Sequence, residues 1–278
     1  MVNNIKTFVL LSGLLALFLL GGQMLGGAQG LLLGGSIGVI MTFGSFWFSD
    51  SMVLKGYRAR VVTAEQAPEL YGLVDDLRQR AGLPMPRVAI TPSAQPNAFA
   101  TGRSPSRAVV AVTEGMLKAL PRDELAGVIA HELAHIKNRD LLTSTIAAGI
   151  ASIIGYLPYA LLFFGRRDDD EGGGLMQIGF AILAPFIAMI LQFAISRQRE
   201  FAADRTGAEI LGAARPLAQA LTRMDAMARQ IPMQVPQAVA PLAQVNPFSG
   251  RGGLMKLMST HPPTEERVAA LLAMDTGR

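Results

Sequence analysis

Long runs without a charged residue constrain this chain more than any other feature of its sequence. Residues 7 to 49 contain no Asp, Glu, Lys, Arg or His, and the same is true of residues 141 to 165 and 172 to 196. At ~1.5 Å per helical residue, the first run is long enough to cross a ~30 Å hydrocarbon core twice, and each later run crosses it once. We therefore predict four hydrophobic spans, at about 5–24, 31–49, 141–164 and 174–195.

The composition agrees with an integral membrane protein. Charged residues make up 17% of the chain, whereas soluble domains carry about 25%. The net charge is +4, but no basic run with interleaved aromatic residues accompanies it, so nucleic acid is not an expected partner. The chain has no cysteine, which excludes disulfide bonds and thiolate metal ligands.

The first apolar run could instead be a cleaved signal peptide. A second apolar run follows it at once, and "GGAQG" (26–30) is a poor cleavage site, so a retained hairpin is the favoured interpretation. Positive charges follow the second and fourth spans, in "KGYRAR" (55–60) and "SRQRE" (196–200). Positive charge marks the cytoplasmic side of a membrane protein. Both termini are therefore predicted to be cytoplasmic, with a transmembrane hairpin at 1–54, a first cytoplasmic part at 55–140, a second hairpin at 141–196 and a second cytoplasmic part at 197–278.

The sequence "VIAHELAHIKNRD" (128–140) contains two of the three histidines of the chain. Because His131 and His135 are four apart on a predicted helix, they project from one face as neighbours. This spacing suits two imidazole ligands of one zinc ion, and Glu132 lies beside them as a candidate general base. Two ordinary histidines on a helix are the alternative interpretation.

A catalytic zinc site needs a third protein ligand. We excluded Asp140 because, on a helix continued to that residue, it lies on the face opposite His131. Glu200 follows the fourth predicted span on the same side of the membrane as the histidines, so it is the predicted third ligand, with Glu209 as the fallback. Asp204, one turn after Glu200, is predicted to accept a hydrogen bond from a ligating histidine.

The alternative for this segment is a solvated helix. In that case Glu200 and Asp204 would form ion pairs with the arginines around them, at Arg197, Arg199 and Arg205.

Four motifs in order resemble the HtpX-type bacterial membrane zinc metalloproteases, which are related to the CAAX prenyl proteases. They are "PNAFATG" (96–102), "HELAH" (131–135), "REFAAD" (199–204) and "STHPPTEER" (259–267). The resemblance implies an α-helical integral membrane protein of the bacterial inner membrane. It would carry an α+β cytoplasmic zincin-like protease domain, a small edge-stranded sheet and an active-site helix.

The resemblance also implies one zinc ion per chain and substrates that are unfolded or misfolded membrane proteins. His131, His135 and Glu200 resemble the zinc ligands, and Glu132 resembles the catalytic base. His261 and Arg267 match a motif that assists the transition state. The oligomeric state is not predicted.

The motif "NAFA" indicates how a substrate could bind. If Asn97, Ala98, Phe99 and Ala100 form an edge strand beside the cleft, an extended peptide could pair with their main-chain groups. A plain, protected sheet edge is the alternative.

A non-catalytic membrane adaptor and a transporter are the two alternative function classes. A non-catalytic membrane adaptor with a structural zinc would need four ligands and no carboxylate base, which the presence of Glu132 argues against. A transporter with a Glu–His relay would carry ionisable residues within its spans, and the runs 7–49, 141–165 and 172–196 contain no Asp, Glu, Lys, Arg or His.

Overall fold

The computed structural model describes residues 2–146, 197–231 and 262–275. The helices are α1 (Val2–Gly56), α2 (Pro68–Ala81), α3 (Glu114–Ala119), α4 (Arg122–Lys137), α5 (Arg197–Leu211), α6 (Arg215–Ala228) and α7 (Thr264–Asp275). The strands are β1 (Arg60–Val62), β2 (Arg87–Thr91), β3 (Ala98–Thr101) and β4 (Val109–Thr113). His261 lies outside the described residues, as do the third and fourth predicted spans apart from 141–146, which are helical.

The first helix, α1, reverses direction near Gly27, which has a positive φ of 56°. A Cβ built on Gly34 would lie 2.3 Å from the carbonyl oxygen of Phe18, and one built on Gly38 would lie 3.0 Å from Leu15 Cδ1. In a straight helix, Phe18 and Gly34 would be about 24 Å apart. The two arms of α1 therefore pack antiparallel along a glycine-lined seam, an arrangement typical of closely packed membrane helices.

Both ends of α1 contact the rest of the protein. Thr7 Oγ1 lies 3.2 Å from Thr143 Oγ1, and Arg87 Nη2 donates to Asp50 Oδ2 at 3.0 Å. Within the described residues, the segment Gly27–Gly44 is the one helix long and apolar enough to cross a membrane by length and composition. The apolar helix Thr7–Gln23 is shorter, and the four-span arrangement stays a prediction.

The four strands form one small mixed sheet in the order β1-β2-β4-β3. The β1–β2 and β3–β4 pairs are antiparallel, whereas β2 and β4 are parallel. The sequences "RVAI" and "AVVAV" form β2 and β4. The expected small sheet is thereby confirmed, and β3 is one of its edges.

Side chains alternate between the two faces of this sheet, as the two-residue period of a strand requires. One face joins the main core under α2 and α4, through Val88, Ala98, Ala100, Val110 and Val112. The other face packs on the end of α1, where the rings of Tyr57 and Phe99 stack with centroids 4.2 Å apart. The sheet is thus held between α1 and α4.

Helix α4 is the centre of the domain and is buried along most of its length. Helix α6 crosses it at Gly127, where a Cβ would lie 2.7 Å from the backbone nitrogen of Leu217. Arg223 on α6 also donates to both carboxylate oxygens of Glu124 on α4, at 2.8 and 2.9 Å. These contacts fix the helix that carries the two histidines.

Candidate metal centre

His131 and His135 lie one turn apart on α4 with their rings at 89° to each other. Their Nε2 atoms are 3.0 Å apart. His131 is completely buried, and His135 is partly buried. Two ligand nitrogens at ~2.0–2.1 Å from one tetrahedral zinc ion would be about 3.3 Å apart, so the observed spacing is close to what a shared ion needs.

Glu200 approaches both histidines from α5. Its Oε2 lies 3.8 Å from His131 Nε2, and its Oε1 lies 3.7 Å from His135 Nε2. One ligand atom from each of the three residues lies within 4.8 Å of the others, so the group could hold a metal ion. Glu209 is exposed and is not part of this group.

The position of Glu200 follows from how α5 packs on α4. Glu200, Asp204 and Gly207 are spaced i, i+4 and i+7, so they share one face of the helix. A Cβ built on Gly207 would lie only 2.9 Å from the backbone nitrogen and Cα of His131. The absence of a side chain at Gly207 therefore lets α5 approach α4 closely, with both carboxylates over the histidines.

Asp204 accepts a hydrogen bond from the first histidine, and its Oδ1 lies 2.8 Å from His131 Nδ1. Arg267 holds this carboxylate from the other side, through Nε to Oδ2 at 2.8 Å and Nη2 to Oδ1 at 2.6 Å. Burial alone would raise the pKa of Asp204, but the Arg267 guanidinium outweighs it and lowers that pKa to about 2. Asp204 is therefore a permanent carboxylate, and His131 carries its proton on Nδ1.

Asp140 plays the same part for the second histidine, with Oδ2 3.2 Å from His135 Nδ1. Arg199 donates to Asp140 through Nε at 3.3 Å and to the Asp140 carbonyl through Nη2 at 2.6 Å. Each histidine thus donates a hydrogen bond to an aspartate, and each aspartate accepts a hydrogen bond from an arginine.

The prediction that Asp140 lies on the far side of the helix from His131 is wrong. It assumed a helix continued to residue 140, whereas α4 ends at Lys137 and Arg139 adopts a positive φ of 56°. The left-handed turn carries Asp140 back to the histidines. Arg199 pairs with this residue and not with Asp204.

Both Nδ1 atoms donate their protons to carboxylates, so in the neutral state both Nε2 lone pairs point into the same space. The two Nε2 atoms are 3.0 Å apart, and at that distance lone pairs that face each other repel unless a cation or a proton lies between them. Burial lowers the pKa of His131 to about 4. Burial also lowers that of His135, but the Asp140 hydrogen bond and the Glu200 charge outweigh it and raise the pKa to about 9. The donor set fits a divalent cation such as zinc.

Glu132 is buried beside His131 on α4. Its negative charge contributes to the raised pKa values of His135 and Arg267. Its carboxylate therefore belongs to the same electrostatic environment as the histidine pair.

Strand β3 lies at the sheet edge and packs against α4. Because Thr113 N–H donates to Asn97 O at 2.9 Å, the alternation of the antiparallel ladder turns the main-chain groups of Ala98 and Ala100 away from β4. Ala98 and Ala100 are only 0% and 5% exposed, and Asn97 and Phe99 are also buried. The outer side of this edge is therefore covered in the structure.

Comparison with known proteins decides the family. A family model described as "Peptidase family M48" matches residues 64–275. This chain belongs to peptidase family M48. The M48 chain is 57% identical over 278 residues to a Protease HtpX homolog of Gemmatimonas aurantiaca, covering 98% of this chain and 99% of that relative. It is 54% identical over 274 residues to a Protease HtpX homolog of Salinibacter ruber, covering 98% of each.

A solved structure shares the fold of this M48 peptidase. The crystal structure of S. mikatae Ste24p matches with a TM-score of 0.50 at 18% identity, covering 98% of this chain and 64% of that one. The family and its HtpX relatives identify the chain as a membrane metalloendopeptidase, as its sequence motifs predicted.

Proposed function

We propose that this membrane metalloprotease binds one zinc ion through His131, His135 and Glu200 and hydrolyses internal peptide bonds of unfolded or misfolded membrane proteins. The observation that carries the proposal is the convergence of two Nε2 atoms and one carboxylate, with both Nδ1 atoms already bound to aspartates. Three protein ligands leave a position open for water, which is the arrangement of a catalytic zinc site.

Zinc, when bound here, supplies the Lewis acidity that acidifies water and polarises a peptide carbonyl. Glu132 is the general base that accepts the proton of the attacking water and returns it to the leaving amine. Its position next to His131 on α4 supports this role, because a general base must lie within reach of the proton that it accepts. His261 is proposed as a donor to the oxyanion that forms on the substrate.

Arg267 is proposed as a positioning residue for His131. Its guanidinium is 2% exposed and is bound to both oxygens of Asp204, on the Nδ1 side of the imidazole. Its Nη1 is 3.9 Å from Glu200 Oε2. A positively charged group held there neutralises Asp204 and keeps the His131 tautomer fixed.

The substrate is proposed to bind as an extended strand along the outer side of β3. The Ala98 N–H donates to Asn97 Oδ1 at 3.0 Å, so the Ala98 carbonyl and the main-chain groups of Ala100 supply the hydrogen bonds to the substrate. Main-chain pairing is indifferent to client sequence. Because this edge is buried, it must be uncovered before a substrate pairs with it.

We further propose a multi-pass position in the bacterial inner membrane, with the protease domain and both termini in the cytoplasm. The charge pattern around the predicted spans supports this orientation. The contacts of α1 also support it, because the N-terminal end contacts Thr143 just after the first cytoplasmic part and the C-terminal end contacts Arg87 within that part. A membrane hairpin returns the chain to one side in this way.

Cleavage of casein by the purified chain in detergent tests the proposal. Wild type should cleave casein only with zinc, and Glu132→Gln should lose cleavage while keeping zinc. The matched control is Glu69→Gln, an exposed glutamate on α2, which should match wild type. Equal cleavage by wild type and Glu132→Gln would overturn the assignment of Glu132. Wild type that holds zinc but cleaves nothing would favour the adaptor.

A further inference from the structure

The connection between β3 and β4 is a basic turn. Its sequence, "GRSPSRA" (102–108), contains two arginines and no acidic residue. Arg107 is exposed, and Arg103 is partly buried. The turn lies at the end of the sheet where Arg87 N–H donates to the Ala108 carbonyl at 3.0 Å and where the Arg87 side chain reaches Asp50.

Arg103 joins this turn to α1. Its guanidinium carbon lies 3.9 Å from the ring centroid of Trp47, and its Nη1 donates to the Trp47 carbonyl at 3.4 Å. This is a cation–π contact, which is strongest for tryptophan and for a partly desolvated cation. These two contacts therefore hold the basic turn against α1 at the position of Trp47.

Trp47 lies at the boundary between the apolar and polar parts of the chain. Trp47 precedes Asp50, the first charged residue after the apolar run. Trp47, Phe48 and Phe43 are 55%, 58% and 70% exposed. A tryptophan near the end of an apolar helix is typical of the interfacial layer of a bilayer. The turn then lies at the depth of the lipid headgroups.

We infer that Trp47, Arg103 and Arg107 form an interfacial surface that binds the phosphate of an anionic phospholipid in the leaflet facing the protease domain. This inference rests on the proposed membrane position. The nearby carboxylate of Asp50 is bound by Arg87 at 3.0 Å, so it does not cancel the charge of the turn. Each basic residue near such a surface enriches anionic lipid by roughly fivefold.

A lipid bound to the basic turn would be connected to the protease domain through β3. Thr101 Oγ1 and Gly102 N–H both reach Thr145 Oγ1 at 3.2 Å, so the turn, the proposed substrate strand and the helical segment 141–146 are linked. An anionic lipid bound at Arg103 would hold that strand at the membrane surface, where membrane-protein substrates emerge.

Trp47 is the only tryptophan of the chain, so its fluorescence reports on this surface without a label. Wild type would be reconstituted in phosphatidylcholine vesicles, with either brominated phosphatidylglycerol or brominated phosphatidylcholine as quencher. We expect half-maximal quenching at an about 25-fold lower mole fraction of the brominated anionic lipid, from about fivefold for each of the two arginines. Arg107→Gln, which leaves the Arg103–Trp47 contact in place, should reduce this preference, and Arg103→Gln/Arg107→Gln should abolish it.

The matched control is Arg122→Gln/Arg215→Gln, which removes the same charge from the exposed first residues of α4 and α6 and should keep the preference. Equal quenching of wild type by both lipids would overturn the inference while leaving the membrane position intact. Quenching by neither lipid would overturn both. Casein cleavage in detergent, measured in parallel, tests the protease proposal independently of either result.

Discussion

Gly207 on α5 lies against the backbone of His131 on α4, where a Cβ would come within 2.9 Å of two His131 main-chain atoms. The opposing atoms are backbone, so they cannot move aside as a flexible side chain would. The metal-ligating geometry therefore depends on a glycine that contacts no metal, because the same helix face carries Glu200 and Asp204.

The first prediction is that Gly207→Ala pushes α5 away from α4 and weakens zinc binding. We expect a loss of about 1–3 kcal/mol in the free energy of unfolding, as for other overpacked sites, and a lower zinc content at limiting zinc. Thermal unfolding and metal analysis of the purified protein measure both quantities.

The control for this substitution is Gly72→Ala in α2, where a Cβ would meet nothing within 4 Å. An alanine in an open helical position should stabilise the protein by about 0.5–1 kcal/mol and leave zinc content unchanged. Equal behaviour of the two variants would show that the α4–α5 approach does not set the site.

The second prediction concerns protons released by zinc. At pH 7 the metal-free site should hold a proton on His135, whose pKa is about 9, and none on the Nε2 of His131, whose pKa is about 4. A ligating imidazole must be neutral, so binding one zinc ion should release about one proton. The apparent zinc affinity should then rise with pH up to about pH 9, by about tenfold per unit. Calorimetry in buffers of different ionisation enthalpy counts the protons.

Asp140→Asn tests the cause of this proton release. An amide in place of the carboxylate removes the charge that raises the pKa of His135, so the released proton number at pH 7 should fall. Unchanged release in this variant would mean that Asp140 does not control the protonation of His135.

The third prediction separates positioning from catalysis at Arg267. Arg267→Gln should weaken zinc binding by about 10–100-fold, as losses of partners behind a ligand do, whereas kcat at saturating zinc should stay near that of wild type. Zinc titration and casein kinetics on the same samples give both values. A collapse of kcat in the fully metal-loaded variant would instead mean that Arg267 acts on the reacting atoms. Arg122→Gln, an exposed arginine on α4, is the control.

The fourth prediction concerns the hairpin of α1. Gly34→Ile should separate its two arms, because a Cβ there would already lie 2.3 Å from a Phe18 backbone oxygen. Gly44→Ile, at a position with nothing within 4 Å, should not.

The chain has no native cysteine, so a Leu19→Cys/Gly35→Cys pair reports arm contact through a short thiol cross-linker. Efficient cross-linking in the Gly34→Ile background would contradict the seam.

The sequence was sufficient to find the face of α5 that meets the histidines. Glu200 and Asp204 are one turn apart, so they share a face of the helix. One carboxylate can then serve as a metal ligand, while the other accepts the second ring N–H of a ligating imidazole. The structure brings both next to the histidines that the four-residue spacing had paired. Helical periodicity and the chemistry of metal ligands were therefore enough to predict which face of α5 meets the histidines.

Asp140 and Arg199 could not be found in the same way. Their positions depend on where α4 ends, and a boundary set by one residue with positive φ is a tertiary outcome that periodicity does not encode. The bidentate contact of Arg267 with Asp204 likewise joins residues 63 positions apart. The sequence motif identified Arg267 without showing which group it touches.

The order of the site residues along the chain has a consequence for biosynthesis. His131 and His135 leave the ribosome before the segment 141–196, Glu200 and Asp204 leave after it, and Arg267 follows 63 residues after Asp204. A nascent chain that has reached only the histidines lacks both the third donor and the arginine that anchors Asp204. With the proposed ligand set, the metal site can therefore be complete only after the segment 141–196 and the helices that follow it have been translated.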